Sequence, residues 1–264
     1  MNGFETLRID NRRPDQLRDI KFTTNYLEHP YSSVLVEFGK TKVVCAVSVD
    51  EVVPKWMMKP ENRNNIHGWI TSEYRMLPFS SGQGRMQRES GEASLAGRTH
   101  EIQRLIGRSL RSVIDLKKLG QRTIWIDCDV LQADGGTRTA AVSGGFVALA
   151  IALIKLQNEG KIIKPFELTY VAAVSVGIRA GVTLLDLCYE EDSSAQVDMN
   201  VVMNENGEFI EIQGTAEENP FTREQYNRMI DLAEKGIKDI IKMQKTAVRE
   251  GLDALKQSSG GAPA

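Results

Sequence analysis

The 264-residue chain has only three cysteines, three histidines and few aromatic residues (6%). Each scarcity excludes something. Cys45, Cys128 and Cys188 are far apart in sequence, each in an apolar strand-like run, with neither metal-binding nor disulfide spacing. Buried thiols in a reducing cytoplasm are expected. His29, His67 and His100 form no Ser/His/Asp or metal-ligand pattern, so a hydrolytic triad has no basis. No apolar run reaches the roughly 18 residues of a membrane span. The N-terminal Met1-Asn2-Gly3-Phe4-Glu5 lacks a signal peptide's basic and apolar regions, so no membrane is expected as a partner. Charge of either sign is not in excess: the net charge is −2, which does not advertise nucleic-acid binding.

What is present is ordinary for a soluble globular protein able to bury one large core, with 41% hydrophobic and 26% charged residues. The charge is unevenly placed. Residues 81–138 carry ten Lys/Arg against seven Asp/Glu, and residues 189–264 carry eight against fifteen. Alternation predicts strands at 34–38 and 43–49, paired as a hairpin around Gly39-Lys40, then at 68–76 and 122–130. Further strands are predicted at 170–178, 182–188, 197–203 and 208–213, with hairpin turns at Arg179-Ala180-Gly181 and Asn204-Glu205-Asn206-Gly207. The polar stretches 51–67 and 80–97 read as loops. Helical periodicity covers 99–119, closed by Gly120, and about 140–157. A long final helix opens with the capping box Thr222-Arg223-Glu224-Gln225. No repeat is visible, and the low-complexity stretch 258–264 is expected to be a disordered tail after a single domain at 1–257. The fold class is α+β, mixed sheets packed with helices.

The most informative stretch is Gln132-Ala133-Asp134-Gly135-Gly136-Thr137-Arg138-Thr139-Ala140, a strand-to-helix joint. Its glycines let backbone N–H groups approach a ligand, and the helix N-terminus leaves its first N–H groups unpaired with a partial positive charge. Arg138 stands in the first helical turn, where a cation disfavours the helix, so stability does not explain it. Together they form an anion site sized for one phosphate. The plainer reading is that Thr137 or Thr139 caps the helix and the glycines make the turn. No Walker loop or dinucleotide fingerprint is matched.

Two further features accompany it. In Tyr189-Glu190-Glu191-Asp192-Ser193-Ser194-Ala195-Gln196-Val197-Asp198, Asp192 is expected where a strand ends and Asp198 in the next strand. If a tight turn joins them, the two carboxylates converge, to hold Mg²⁺ or to let one act as general acid. A solvated acidic turn is the plainer alternative. Arg98 precedes the helix at 99–119, a second place where an arginine meets a helix N-terminus. Arg104, Arg108 and Arg111 lie on one polar helical stripe, which reads as a solvated face.

Glu101-Ile102-Gln103-Arg104-Leu105-Ile106-Gly107-Arg108, the joint with Ile126-Asp127-Cys128-Asp129-Val130, the acidic run with Val197-Asp198-Met199-Asn200, and Gln213-Gly214-Thr215 resemble the ribonuclease PH family. The match runs in order and at family spacing from about 34 to 255. It implies a phosphate-dependent 3′→5′ exoribonuclease that trims tRNA precursors, releases nucleoside diphosphates, and assembles as a homohexameric ring of three dimers. Carried over, phosphate binding falls on Arg98, Gly136, Thr137 and Arg138, and the catalytic or metal-holding acids on Asp192 and Asp198. The chain departs from the family at Leu77-Pro78-Phe79-Ser80-Ser81, where members read Leu-Pro-Arg-Ala-Thr, so RNA binding in that loop falls to Arg85 and Arg88. The loop 54–67 is also longer than usual. The alternatives are a non-catalytic RNA-binding ring subunit of an exosome-like complex and a small-molecule phosphate-binding protein.

Overall fold

A computed structural model describes residues 8–59, 61, 66–88, 97–162, 167–217 and 219–259. Strands β1 (Ile20–Thr24), β2 (Ser32–Phe38), β3 (Thr41–Asp50), β4 (Trp69–Met76) and β5 (Thr123–Gln132) form one sheet in the order β1-β2-β3-β5-β4. Only β4 and β5 run parallel, with helix α1 (Gly97–Arg111) in the connection between them. Strands β6 (Val171–Arg179), β7 (Val182–Leu185), β8 (Val197–Asn204) and β9 (Phe209–Ala216) form a second, antiparallel sheet ordered β7-β6-β8-β9. A single turn of helix, α3 (Tyr189–Asp192), separates β7 from β8.

Helix α2 (Thr137–Asn158) lies between the sheets, packed on β2, β3 and β5 on one side and β6 on the other. Its sequence is apolar all round because nearly every side is covered. It is long and apolar enough to cross a membrane, yet 89% of that stretch is buried inside the fold. Continuous apolar runs do not reveal it, because Ser143, Gly144 and Gly145 interrupt the stretch. Gly144 is required by the packing: a Cβ there would sit 2.5 Å from Val36 Cγ1. Helix α4 (Arg223–Ser259) covers β6, β7 and β1, and one apolar cluster runs through both sheets and the helices between them.

Local chemistry explains most boundaries. The β2–β3 hairpin turns on Gly39 (φ 56°) and the β6–β7 hairpin on Ala180 and Gly181 (φ 49° and 75°). The Thr222 N–H donates to Gln225 Oε1 (2.8 Å) and the Gln225 N–H to Thr222 Oγ1 (3.2 Å), the expected capping box.

The structure corrects four expectations. Helix α1 starts at Gly97 and stops at Arg111 rather than 119, since the Asp115 side chain accepts from the Lys117 N–H and starts a separate 3₁₀ turn at Leu116–Leu119. Strand β1 is an addition, because Ile20-Lys21-Phe22-Thr23-Thr24 is a strand mainly through its pairing with β2. Strand β7 ends at Leu185, before Asp186 at φ 56°, so Asp192 lies on α3 and not at a strand end. Helix α4 takes in 258 and 259 of the expected tail, and 260–264 lie outside the described residues, as does 89–96 of the loop before α1.

Candidate active site

The strand-to-helix joint is built as an open helix terminus. Gly135 and Gly136 both have positive φ (72° and 66°), Gly136 occupies the N-cap position of α2, and no side chain among the described residues caps it. The first helical hydrogen bond runs from the Ala140 N–H to the Gly136 carbonyl (3.0 Å). The N–H groups ahead of it are therefore left for a ligand. Neither threonine fills the capping role. Thr139 Oγ1 donates to the Gly136 carbonyl (2.9 Å), and Thr137 Oγ1 accepts from the Tyr74 hydroxyl (2.8 Å).

This joint forms one wall of a cavity of about 610 Å³, whose lining also includes Arg98, Arg138, Asp192 and Asp198. The residues singled out from sequence on four separate elements are thus brought together. Arg98 enters from the first turn of α1. Arg138 enters from α2 and is held by Glu101 Oε1 (3.1 Å) and Gln213 Oε1 (2.9 Å). No local pattern marks those two acceptors, on α1 and β9, although both stand in motifs shared with the family. Arg104 and Arg108 are exposed or nearly so, and Arg108 pairs with Glu211 (2.6 Å), so their stripe is largely solvated. Arg111 departs from it: Nη1 donates to the Ile70 carbonyl (2.8 Å) and the guanidinium stacks over Trp69.

The wall is locked from behind by arginines near the N-terminus. Arg18 pairs with the fully buried Asp186 (2.7 Å) and donates to the Asp134 carbonyl (2.5 Å). Thr41 Oγ1 donates to the Gly135 carbonyl (2.7 Å). Arg8 makes a two-pronged bond to the buried Glu191 (2.8 and 2.7 Å), which also accepts from the Cys188 N–H (3.1 Å). Burial pushes the Glu191 and Asp186 carboxyls up, but Arg8 and Arg18 outweigh it and hold both below the usual range. Of the Glu-Glu-Asp run, then, Glu191 belongs to the scaffold and Asp192 to the cavity. A cluster of arginines at 8, 12, 13 and 18 is the only signal in the sequence. The buried acceptors of Arg8 and Arg18 lie more than 160 residues away, beyond any spacing rule.

Asp192 and Asp198 line the same cavity. Burial raises the Asp192 carboxyl, with Arg98 and Arg138 opposing. Burial and then the Asp192 charge push Asp198 up to about 6, from 3.8. Among the described residues Asp198 Oδ1 is buried without a hydrogen-bond partner. An orphaned carboxylate oxygen beside a second carboxylate fits Mg²⁺, which takes one or two carboxylates and completes its shell with water and phosphate oxygens. Among the described residues no group of three or more His, Cys, Asp or Glu makes an all-protein cage.

The raised Asp198 carries a stability consequence. Between about pH 4 and 6 the folded chain keeps a proton that the unfolded chain releases, so ionised Asp198 lowers stability above about pH 6 and not below about 4. Asp198→Asn in chelator should be more stable than wild type by about 1–2 kcal/mol at pH 8. Thermal melts at pH 8 and pH 4.5 test this. A gap that does not narrow at the lower pH would remove the carboxylate as its cause.

Arg85 and Arg88 are exposed and lie outside the cavity lining, whereas Ser81, Gly82, Gln83 and Met86 of the same segment line it. Gln83 Nε2 donates to the Tyr189 hydroxyl, tying this segment to α3. Neither arginine is therefore part of the cavity lining.

Comparison with known proteins agrees with this architecture. Residues 16–155 match the model of the 3′ exoribonuclease family, domain 1, and residues 169–236 that of the same family's domain 2. Ribonuclease PH of Bacillus pumilus (strain SAFR-032) is 53% identical over 249 residues, covering 94% of this chain and all of that protein. Two solved structures share the fold at low identity. Rice (Oryza sativa) Rrp46 has a TM-score of 0.71 at 19% identity, covering 91% of this chain and all of that one. The Archaeoglobus fulgidus exosome with RNA bound to the active site has a TM-score of 0.69 at 20% identity, covering 88% and 91%. The joint between β5 and α2 falls within the first matched segment and the paired aspartates within the second, and the chain belongs to the ribonuclease PH family of 3′ exoribonucleases.

Proposed function

We propose that the chain trims the 3′ ends of tRNA precursors by phosphorolysis, with inorganic phosphate seated at the α2 N-terminus as the nucleophile. It is a phosphate-dependent 3′→5′ exoribonuclease by family. The observation that carries the assignment is the gathering, in the lining of one cavity, of an uncapped helix terminus, Arg98 and Arg138, and the carboxylates of Asp192 and Asp198.

A phosphate oxygen attacks the terminal phosphorus, the bond to the penultimate 3′-oxygen breaks, and a nucleoside diphosphate leaves an RNA one nucleotide shorter. The main obstacle is repulsion between a dianion and a diester that is already anionic. Arg98, Arg138 and the free N–H groups of α2 offset it and hold the nucleophile in line. Asp192 and Asp198 would hold Mg²⁺, which when bound neutralises charge on the transferring phosphoryl group. A second reading has its own observation: Asp198, raised to about 6, can carry a proton near neutral pH for the departing 3′-oxygen.

Arg85 and Arg88, exposed on a segment that also lines the cavity, suit contacts to the RNA backbone. The homohexameric ring is supported by family membership and by Phe209 and Ile212, exposed on the edge strand β9, which assembly would cover. Three unbonded, buried cysteines suit a reducing cytoplasm.

The deciding experiment incubates a 3′-tailed RNA with and without phosphate. Nucleoside diphosphates released only with phosphate support the assignment. Monophosphates would mean hydrolysis and overturn it. Absence of product would favour a non-catalytic ring subunit.

A further inference from the structure

Resting on phosphate as the nucleophile, we propose that Tyr74 is a positioning residue that turns the Thr137 hydroxyl into a committed donor toward the phosphate. The phenol of Tyr74, on β4, is buried in the core at 1% exposure, and its hydroxyl donates to Thr137 Oγ1 (2.8 Å). A phenol has one proton and a threonine hydroxyl one proton and two acceptor lone pairs. Were the bond reversed, the phenol proton would be left unmet inside the core, at the desolvation cost of an unmade bond. The phenol therefore donates, and the proton of Thr137 points elsewhere. Thr137 lines the cavity beside Gly136 and Arg138, so the available direction is the anion seat.

The neighbouring threonine shows the contrast. Thr139 directs its proton to the Gly136 carbonyl and has none for a ligand. One hydroxyl of the Thr-Arg-Thr triplet braces the helix and the other faces the reactant. Burial holds the phenol above its ordinary range, against the opposing pull of Thr137, Arg98 and Arg138, so it stays protonated across the working range. The bond also ties the start of α2 to the first sheet.

A double-mutant cycle on the full-length protein tests this. Thr137→Val removes the donor and should raise KM for phosphate about 10- to 100-fold, the worth of a hydrogen bond to a charged group. Tyr74→Phe, which keeps the ring and removes only the hydroxyl, should raise it about 3- to 10-fold and leave KM for RNA unchanged. Adding Tyr74→Phe to Thr137→Val should change nothing further, because the proton it directs is already gone. Thr137→Ser, which keeps the hydroxyl, should restore most of the phosphate KM. An unchanged phosphate KM in Tyr74→Phe, or effects that multiply in the double variant, overturns the proposal. So does a loss of thermal stability that lowers activity equally toward phosphate and RNA. Failure of phosphorolysis itself is read separately, from wild type giving no diphosphates in the same assay.

Discussion

Arg138→Ala should lower kcat/KM for phosphate by about 10²- to 10³-fold while RNA affinity stays within about twofold. Arg138 is a guanidinium held in place at the proposed nucleophile seat. It projects from the first turn of α2 and is held by Glu101 and Gln213 from two other elements. That bracing aims its remaining donors without waiting for substrate, and such preorganisation is what electrostatic catalysis requires. Folding should lose little. A cation at a helix N-terminus opposes the helix dipole, and a partly exposed ion pair contributes about 1 kcal/mol or less. Single-turnover rates across a phosphate titration, beside RNA binding by fluorescence anisotropy, separate the two effects. Equal loss of RNA affinity and turnover would remove Arg138 from the nucleophile site and place it on the RNA path.

The second large effect is expected from a methyl group. Gly135→Ala should destabilise the fold by about 2–4 kcal/mol and reduce turnover at least tenfold. Gly135 sits at φ 72°, and a Cβ there would lie 2.6 Å from the Leu187 carbonyl oxygen, 2.7 Å from Cys188 C and 2.8 Å from Tyr189 N. All three are backbone atoms, immediately before or at the start of α3, and none can swing aside like a side-chain tip. The joint proposed to seat the anion is thus packed directly against the start of the turn that carries Asp192. Relieving the clash means moving the joint away from α3, and both contribute to the cavity lining. Gly181→Ala is the control, since it has the same sign of φ (75°) with open space around it. It should cost about 1 kcal/mol and leave turnover unchanged. Thermal melts and steady-state rates on both variants give the comparison. Equal effects from the two would mean that backbone strain alone matters and that contact between the joint and α3 does not.

Much of the site is legible in the order of the amino acids. Arg138 stands out because a cation in a first helical turn has a poor structural excuse, and Asp198 because aspartate suits strands badly. Helix α1 and the hairpins follow from periodicity and turn residues, which act over a few positions. The short helix under Asp192 is not legible, since four residues carry too little pattern to separate a helical turn from a strand end. Tyr74 lies in a stretch that reads as a strand, and nothing near it in sequence shows that its hydroxyl meets Thr137 across 63 residues.

The division has a physical basis. Backbone dihedral preference, hydrophobic period and charge type are properties of neighbouring residues. They are enough to set most of the order of elements, the Gly-Gly joint and the side chains able to do anion and carboxylate chemistry. Whether Arg98, Arg138, Asp192 and Asp198 share one cavity depends on how two sheets close around α2, and so on packing between residues far apart in the chain. The ion pairs of Arg8 with Glu191 and Arg18 with Asp186 join positions 183 and 168 residues apart. A buried charge must find its partner wherever the fold delivers one, and that is settled in three dimensions.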